Sequence, residues 1–416
     1  MRHLNIFLTS IALLTLITSC SQESDVIMTD EAAQNEHHIS VMESQNRLIS
    51  ILHGMENNET RGTSLFAQKN ITSVKILGKD KMPLTRASEN EASYYVFRFG
   101  NNEGFAIMSA DNRLPDLLAV GEGDPNPDDS TSDIPDSLLW SIPQVPDSAE
   151  ITPVPDITAP TTPCTYLVPG GLVRAQWGQG EPYSFLAKER YFPYLSPEIE
   201  LRVQTDAVAV AQLLMTADNH SYFGSGDETL GSIDWDKLYR CRYTSSFWND
   251  SIRKNDINKL YAWLLATGRF KPAPDGKIKY DAVKKRYYLE CVMDFPVGMS
   301  PEQTEEAPYY DNMESALLGL SFQDVFAKEF TETSISDIIT GLSQRKVAIF
   351  QDIETYNTPN RNHKTVLADN VMYFDELPEI KYFKINYGKE GAGNGYYLAT
   401  GFVGKVMYRQ PRKVTQ

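Results

Sequence analysis

Apolar and polar positions alternate in three distinct regimes along the chain. In the first, Val41, Leu48, Ile49 and Leu52 recur at helical spacing and predict an amphipathic helix over residues 39–55. Val74, Ile76 and Leu77 mark a short strand. Tyr94-Tyr95-Val96-Phe97-Arg98-Phe99 and Gly104-Phe105-Ala106-Ile107-Met108 flank a Gly-Asn-Asn-Glu turn, which predicts a hairpin. Leu117–Val120 is a further strand. Together these elements predict a small α+β domain over residues 36–123.

The second regime, residues 124–164, is rich in Pro, Asp, Ser and Thr and poor in aromatic residues. It reads as an extended linker open to proteolysis. The third, residues 165–416, predicts another domain. Thr205–Thr216 is a helix rich in alanine and valine, Ile257–Gly268 a second, and Ser334–Leu342 a third. Val347–Phe350, Thr365–Leu367, Tyr382–Asn386 and Gly395–Thr400 are the predicted strands. Helices first and strands afterwards imply an α+β fold.

Composition narrows the function. The chain has 416 residues, with 41% hydrophobic and 23% charged, enough to bury the cores of two to three domains. Its net charge of -16 disfavours nucleic acid and anionic lipid surfaces as partners. Met1-Arg2-His3 followed by the apolar run Leu4–Ile17 is a secretory signal, too short for a membrane span. Ile17-Thr18-Ser19-Cys20 matches a bacterial lipobox. It predicts a signal peptide over residues 1–20, lipid on Cys20, and a polar tether over 21–35. The expected location is therefore the cell envelope or surface, with the lipid as the only contact with a membrane. Cys164, Cys241 and Cys291 remain, an odd number for an exported protein. Their spacing fits no zinc site, so neither a metal nor another cofactor is implied.

Three segments, in order, resemble the streptopain family of papain-like cysteine peptidases. Tyr95-Val96-Phe97, then Gly104-Phe105-Ala106-Ile107-Met108-Ser109-Ala110-Asp111, is similar to the hairpin of that family's pro-region. Gln176-Trp177-Gly178-Gln179-Gly180-Glu181-Pro182-Tyr183-Ser184 is similar to the "W-G-Q-x-x-P-Y-N" that opens the mature enzyme. Lys384-Ile385-Asn386-Tyr387-Gly388, then Gly393-Asn394-Gly395-Tyr396-Tyr397, is similar to "H-x-N-W-G-W-G-G-x-x-x-G-Y-Y". The resemblance covers residues 39–410. It implies a papain-like fold preceded by a small α+β pro-region that can also act as an inhibitor.

It also implies a set of site residues. A papain-like enzyme places a cysteine thiolate at the start of a buried helix, faced by a histidine, with a glutamine amide to bind the oxyanion. Gln179 matches the oxyanion glutamine, Trp177 lines the cleft beside it, and Asn386 lies at the residue near the histidine. Tyr387 replaces the following tryptophan, and Lys389 and Glu390 replace the rest of that wall. The family's "G-C-V-A-T-A-M-A-Q" aligns without gaps on Gln204–Gln212, which puts Thr205 at the nucleophile position. A shift of two residues puts Ala207 there, and neither register supplies sulfur. Asp206 sets a carboxylate at the positive helix end, where it opposes a thiolate. His363 is the candidate base, although aligning Asp369 on the family's aspartate places Lys364 at that position instead.

An internal threonine has no free amine to serve as its base. The implied function is therefore a pseudopeptidase that holds a peptide or protein in its cleft without cutting it. Two alternatives stand beside it: an active cysteine-type endopeptidase with atypical machinery, and an inhibitor whose N-terminal domain fills the cleft of a separate peptidase.

Overall fold

The computed structural model describes residues 37–56, 70–100, 103–123, 142–145, 164–168, 171–173, 175, 177–180, 183–203, 205–214, 259–260, 270–272, 278–281, 286–293, 327–329, 332–351, 365–388, 393–401 and 405–409. The architecture is α+β, as the pattern predicts, and strands dominate it. Helix α1 (Val41–Glu56) is followed by β1 (Ile71–Leu77), β2 (Tyr94–Phe99), β3 (Gly104–Ser109) and β4 (Leu117–Glu122). After the linker come β5 (Cys164–Tyr166), α2 (Phe185–Tyr191), β6 (Ile199–Val203) and α3 (Thr205–Leu214). Next are β7 (Phe270–Pro272), β8 (Ile278–Asp281), β9 (Arg286–Met293) and β10 (Ala327–Glu329). Helix α4 (Glu332–Ser343), β11 (Val347–Gln351), β12 (Thr365–Phe374), β13 (Leu377–Asn386), β14 (Gly395–Leu398) and β15 (Lys405–Arg409) complete the chain.

Among the described residues, one sheet of 11 strands runs through both halves of the chain. Its order is β1-β2-β3-β4-β14-β13-β12-β11-β15-β10, with β5 added on β12, and every pair in it is antiparallel. The junction is β14, which pairs with β13 on one edge and with β4 on the other, Tyr397 lying opposite Ala119 and Gly395 opposite Gly121. A smaller sheet carries β9 at its centre, parallel to β6 and antiparallel to β7 and β8.

Helix α1 covers the N-terminal strands with a stripe of Leu48, Ile51, Leu52 and Met55, the i, i+3, i+4, i+7 positions of an amphipathic helix. Ile49, which the sequence reading placed on that face, is 41% exposed. It follows Leu48 by one position, about 100° round the helix, and so falls off the stripe. The same apolar core continues without a break through Phe97, Ile107 and Val120 to Tyr382, Phe383, Ile385 and Tyr397, and on to Ile338 and Leu342 of α4. In that core Tyr382 donates its hydroxyl hydrogen to the carbonyl of Leu117, a 3.0 Å bond from one half of the chain to the other.

Part of the linker is docked. Ile142 and Val145 are buried against the N-terminal strands. The hydroxyl of Tyr94 donates to the carbonyl of Pro143 at 2.9 Å and accepts from the amide of Val145 at 3.3 Å, and Lys81 reaches the carbonyl of Ile142. The predicted helix over Ile257–Gly268 lies outside the described residues except for two helical positions, 259 and 260. No helix among the described residues is long and apolar enough to cross a membrane.

Candidate functional site

The site is assembled where two segments meet the start of α3 and a third backs one of them. The first is the loop after β5. Trp177 is buried, and Gln179 beside it is half-buried. The carbonyl of Gln179 accepts a 2.9 Å hydrogen bond from Val203, the last residue of β6. Two residues later Thr205 opens α3, so the Trp177–Gln179 loop lies alongside the entry to that helix. Residue 180 is glycine, and a Cβ there would fall 1.9 Å from a carboxylate oxygen of Glu200, so any other residue would have to displace that side chain. Glu200 is itself buried, paired with Nε of Arg202 at 3.0 Å, and the Arg202 guanidinium lies over the ring of Tyr288.

The second segment is the end of β13. Asn386 is buried and both ends of its amide are used: Nδ2 donates to the carbonyl of Ala175 at 2.8 Å, and Oδ1 accepts from the amide of Gly388 at 3.0 Å. Asn386 thus ties the end of β13 to the segment that leads into Trp177. Tyr387 follows, also buried, with its ring edge-on to Tyr397 at 5.4 Å. Gly388 has φ +66, and a Cβ on it would lie 2.8 Å from Cγ1 of Val208 in the first turn of α3. The third segment is the turn before β14, where Oδ1 of Asn394 accepts from the amide of Tyr387 at 2.8 Å.

Beneath these lies a buried polar pair on β12. Asp369 is the extra residue of a β-bulge, between Ala368 opposite Ile385 and Asn370 opposite Lys384. Its Oδ2 accepts from the amide of Val173 at 2.7 Å, and Oδ1 has no hydrogen-bond partner. Burial raises its pKa, an effect opposed by the nearby charge of Lys384. Asn370 uses Oδ1 to hold the amide of Val168 at 2.8 Å. These two side chains pin Val168 and Val173, upstream of the Trp177 loop. Gln212 is buried on α3, and neither atom of its amide has a hydrogen-bond partner. Among the described residues no group of three or more His, Cys, Asp or Glu could hold a metal ion.

The structure therefore brings Trp177, Gln179, Asn386, Tyr387 and the first turn of α3 together. Thr205 and Asp206 are the first two residues of that helix. His363, Lys364, Lys389, Glu390 and Cys20 lie outside the described residues. The sequence does not mark Asp369 and Asn394 as site-building residues, although Asn394 stands in a quoted motif. Nor does it mark Glu200, which fits the apolar–polar alternation of Ile199–Val203 as an ordinary outward-facing position. Cys164 is free and buried on β5, its thiol pushed up to about 12 by burial first and by the charge of Asp375 second, which makes it a poor nucleophile.

With this geometry in place, comparison with known proteins finds a family model that matches part of the chain. The family model described as Spi protease inhibitor matches residues 56–139, which span β1 to β4. No curated protein matches the chain. Among solved structures, a mutant fragment of Prevotella intermedia prointerpain A is similar over 82% of this chain and 100% of that one, at 16% identity and a TM-score of 0.47.

Proposed function

We propose that this protein is a relative of the streptopain-like peptidases that keeps the cleft and has lost the nucleophile, and so binds a peptide or protein segment without cutting it. The observation that carries this reading is the convergence of the Trp177–Gln179 loop and the Asn386–Gly388 turn on a helix that opens at Thr205. A threonine hydroxyl at an internal position, with an aspartate next to it, has no activating base of its own and no thiolate to stabilise.

The test is hydrolysis of casein and short fluorogenic peptides by the wild type, Thr205→Cys, and Thr205→Cys combined with Asp206→Val. The wild type should show no cysteine-type activity, the single variant little, and the double variant more than the single changes add up to, since both act on one thiolate. Activity in the wild type that a thiol-specific inhibitor stops would make it a working peptidase instead.

The match to the Spi protease inhibitor model favours a second reading, inhibition of a separate peptidase through the N-terminal strands. It is tested by adding the full chain to an active streptopain-like enzyme; unchanged turnover removes it. Export and lipid anchoring through Cys20 belong to the same proposal. Labelling with a fatty-acid analogue should mark the wild type and not Cys20→Ala.

A further inference from the structure

A pro-region that blocks a cleft is expected to leave once its linker is cut. Here the contacts argue for the opposite arrangement. Strand β4 is hydrogen-bonded along both edges, to β3 and to β14. At its end, Glu122 closes a pair of backbone bonds with the turn before β14: its amide donates to the carbonyl of Asn394 at 2.8 Å, and its carbonyl accepts from Gly393 at 3.0 Å. Two glycines face each other across this junction. A Cβ on Gly395 would lie 2.1 Å from the carbonyl oxygen of Val120, and one on Gly121 would meet both the Phe105 ring and the Asn394 carbonyl. The backbones are therefore closer than side chains allow, as in the interior of a sheet rather than at a detachable contact.

The turn held by β4 is the one that fixes the site wall. Asn394 gives its carbonyl to Glu122 and its side-chain oxygen to the amide of Tyr387. Tyr387 leads into Gly388, which rests on Val208 of α3. Strand β4, Asn394, Tyr387, Gly388 and α3 form an unbroken chain of contacts from the N-terminal strands to the start of the helix.

We propose that residues 37–122 are a permanent positioning subunit of the cleft, retained after any cut in the linker, and that Asn394 is the positioning residue through which strand β4 sets the Tyr387–Gly388 wall. Cutting would then yield a two-piece protein with its site intact. The proposal does not depend on whether the cleft is catalytically active, and its test does not read activity.

The test is made on the full chain with a site for a sequence-specific protease placed within residues 146–163. After cutting, the two pieces should co-elute in native gel filtration, and the amide of Tyr387 should exchange with solvent at its uncut rate. Pieces that separate in native buffer would overturn the proposal. In the uncut chain, Asn394→Ala should speed exchange at Tyr387 by up to about tenfold, the worth of one hydrogen bond, while Asn394→Asp, which keeps the acceptor oxygen, should hold the wild-type rate. Equal exchange in wild type and Asn394→Ala would remove the positioning role. Gly395→Val should part the cut pieces. If that variant does not fold, urea unfolding of the cut wild type decides: one transition whose midpoint rises with protein concentration supports the proposal, and two independent transitions sink it.

Discussion

Gly388 rests on Val208 with no space for a side chain between them, 2.8 Å separating the position of a Cβ from the Cγ1 of the valine. The same glycine has φ +66, a conformation that disfavours any L side chain. Gly388→Ala should therefore cost about 2–4 kcal/mol, combining left-handed backbone strain with overpacking. In a Val208→Ala background the Cγ1 contact is gone and only the Cβ of residue 208, 3.1 Å from the added Cβ, remains, so the same change should cost less, about 1–3 kcal/mol. Urea denaturation of the four proteins of this cycle measures the coupling; additive costs would mean that the turn and the helix do not touch in solution.

Asn386 is the clamp between β13 and the Trp177 loop. Asn386→Ala leaves the buried carbonyl of Ala175 and the amide of Gly388 without partners. A loss of about 2–4 kcal/mol is expected, from two unsatisfied groups. The emission of the protein's tryptophans reports whether the loop moves as well; a variant as stable as wild type would show that water replaces both bonds.

Tyr94→Phe removes two hydrogen bonds that hold the linker at Pro143 and Val145. The expected cost is about 1–2 kcal/mol. Limited proteolysis of the wild type should cut the linker first, leaving a C-terminal fragment of about 250 residues, the size of the predicted second domain. It should spare Ile142–Val145, and the variant should become sensitive there. Identical digestion patterns would mean that the buried Ile142 and Val145 alone hold the segment.

The charge state of Asp369 gives a dependence on pH. Burial raises its pKa above the ordinary 3.8, against the opposing charge of Lys384. Below 3.8 the carboxyl is neutral in both the folded and unfolded chain, and its contribution to stability is fully present. As the pH rises towards the folded pKa, the unfolded chain gives up the proton first and stability is lost. Asp369→Asn keeps an oxygen for the amide of Val173 and has no such loss. Its stability relative to wild type should therefore increase as the pH is raised from about 3 to 7 in urea titrations. A constant difference across that range would place the folded pKa at its unfolded value.

Much of this fold is legible in the sequence because it is local. The hairpin of β2 and β3 is announced by aromatic and branched residues around a Gly-Asn turn, and α3 by its alanines and valines. What is not legible depends on partners distant along the chain. The strand at Thr365–Leu367 continues to Phe374 because a bulge at Asp369 turns the strand and lets pairing with β13 resume at Asn370. Strand β6 was not predicted: its Ile-Glu-Leu-Arg-Val alternation suggests one polar face in water, whereas Glu200 is buried under the Trp177 loop and paired with Arg202. At the site, Trp177, Gln179, Asn386 and Tyr387 can be picked out from their motifs. The bond from Asn394 to Tyr387, and its backing by Glu122, cannot, since nothing local in the sequence records which strand lies next to β14.

The junction of β4 with β14 also orders the way the chain must fold. Ala119 finds its partner in Tyr397, and about two thirds of the chain separates them. While the chain is being made, β1 to β4 can close on α1 early, from contacts near in sequence. The outer edge of β4 then stays open until the last segments arrive. An open strand edge pairs readily with other chains, so the newly emerged protein passes through a stage that is prone to aggregate and that ends only when Gly395–Leu398 docks. Truncation just before Gly395 should therefore yield aggregates rather than a stable shorter protein.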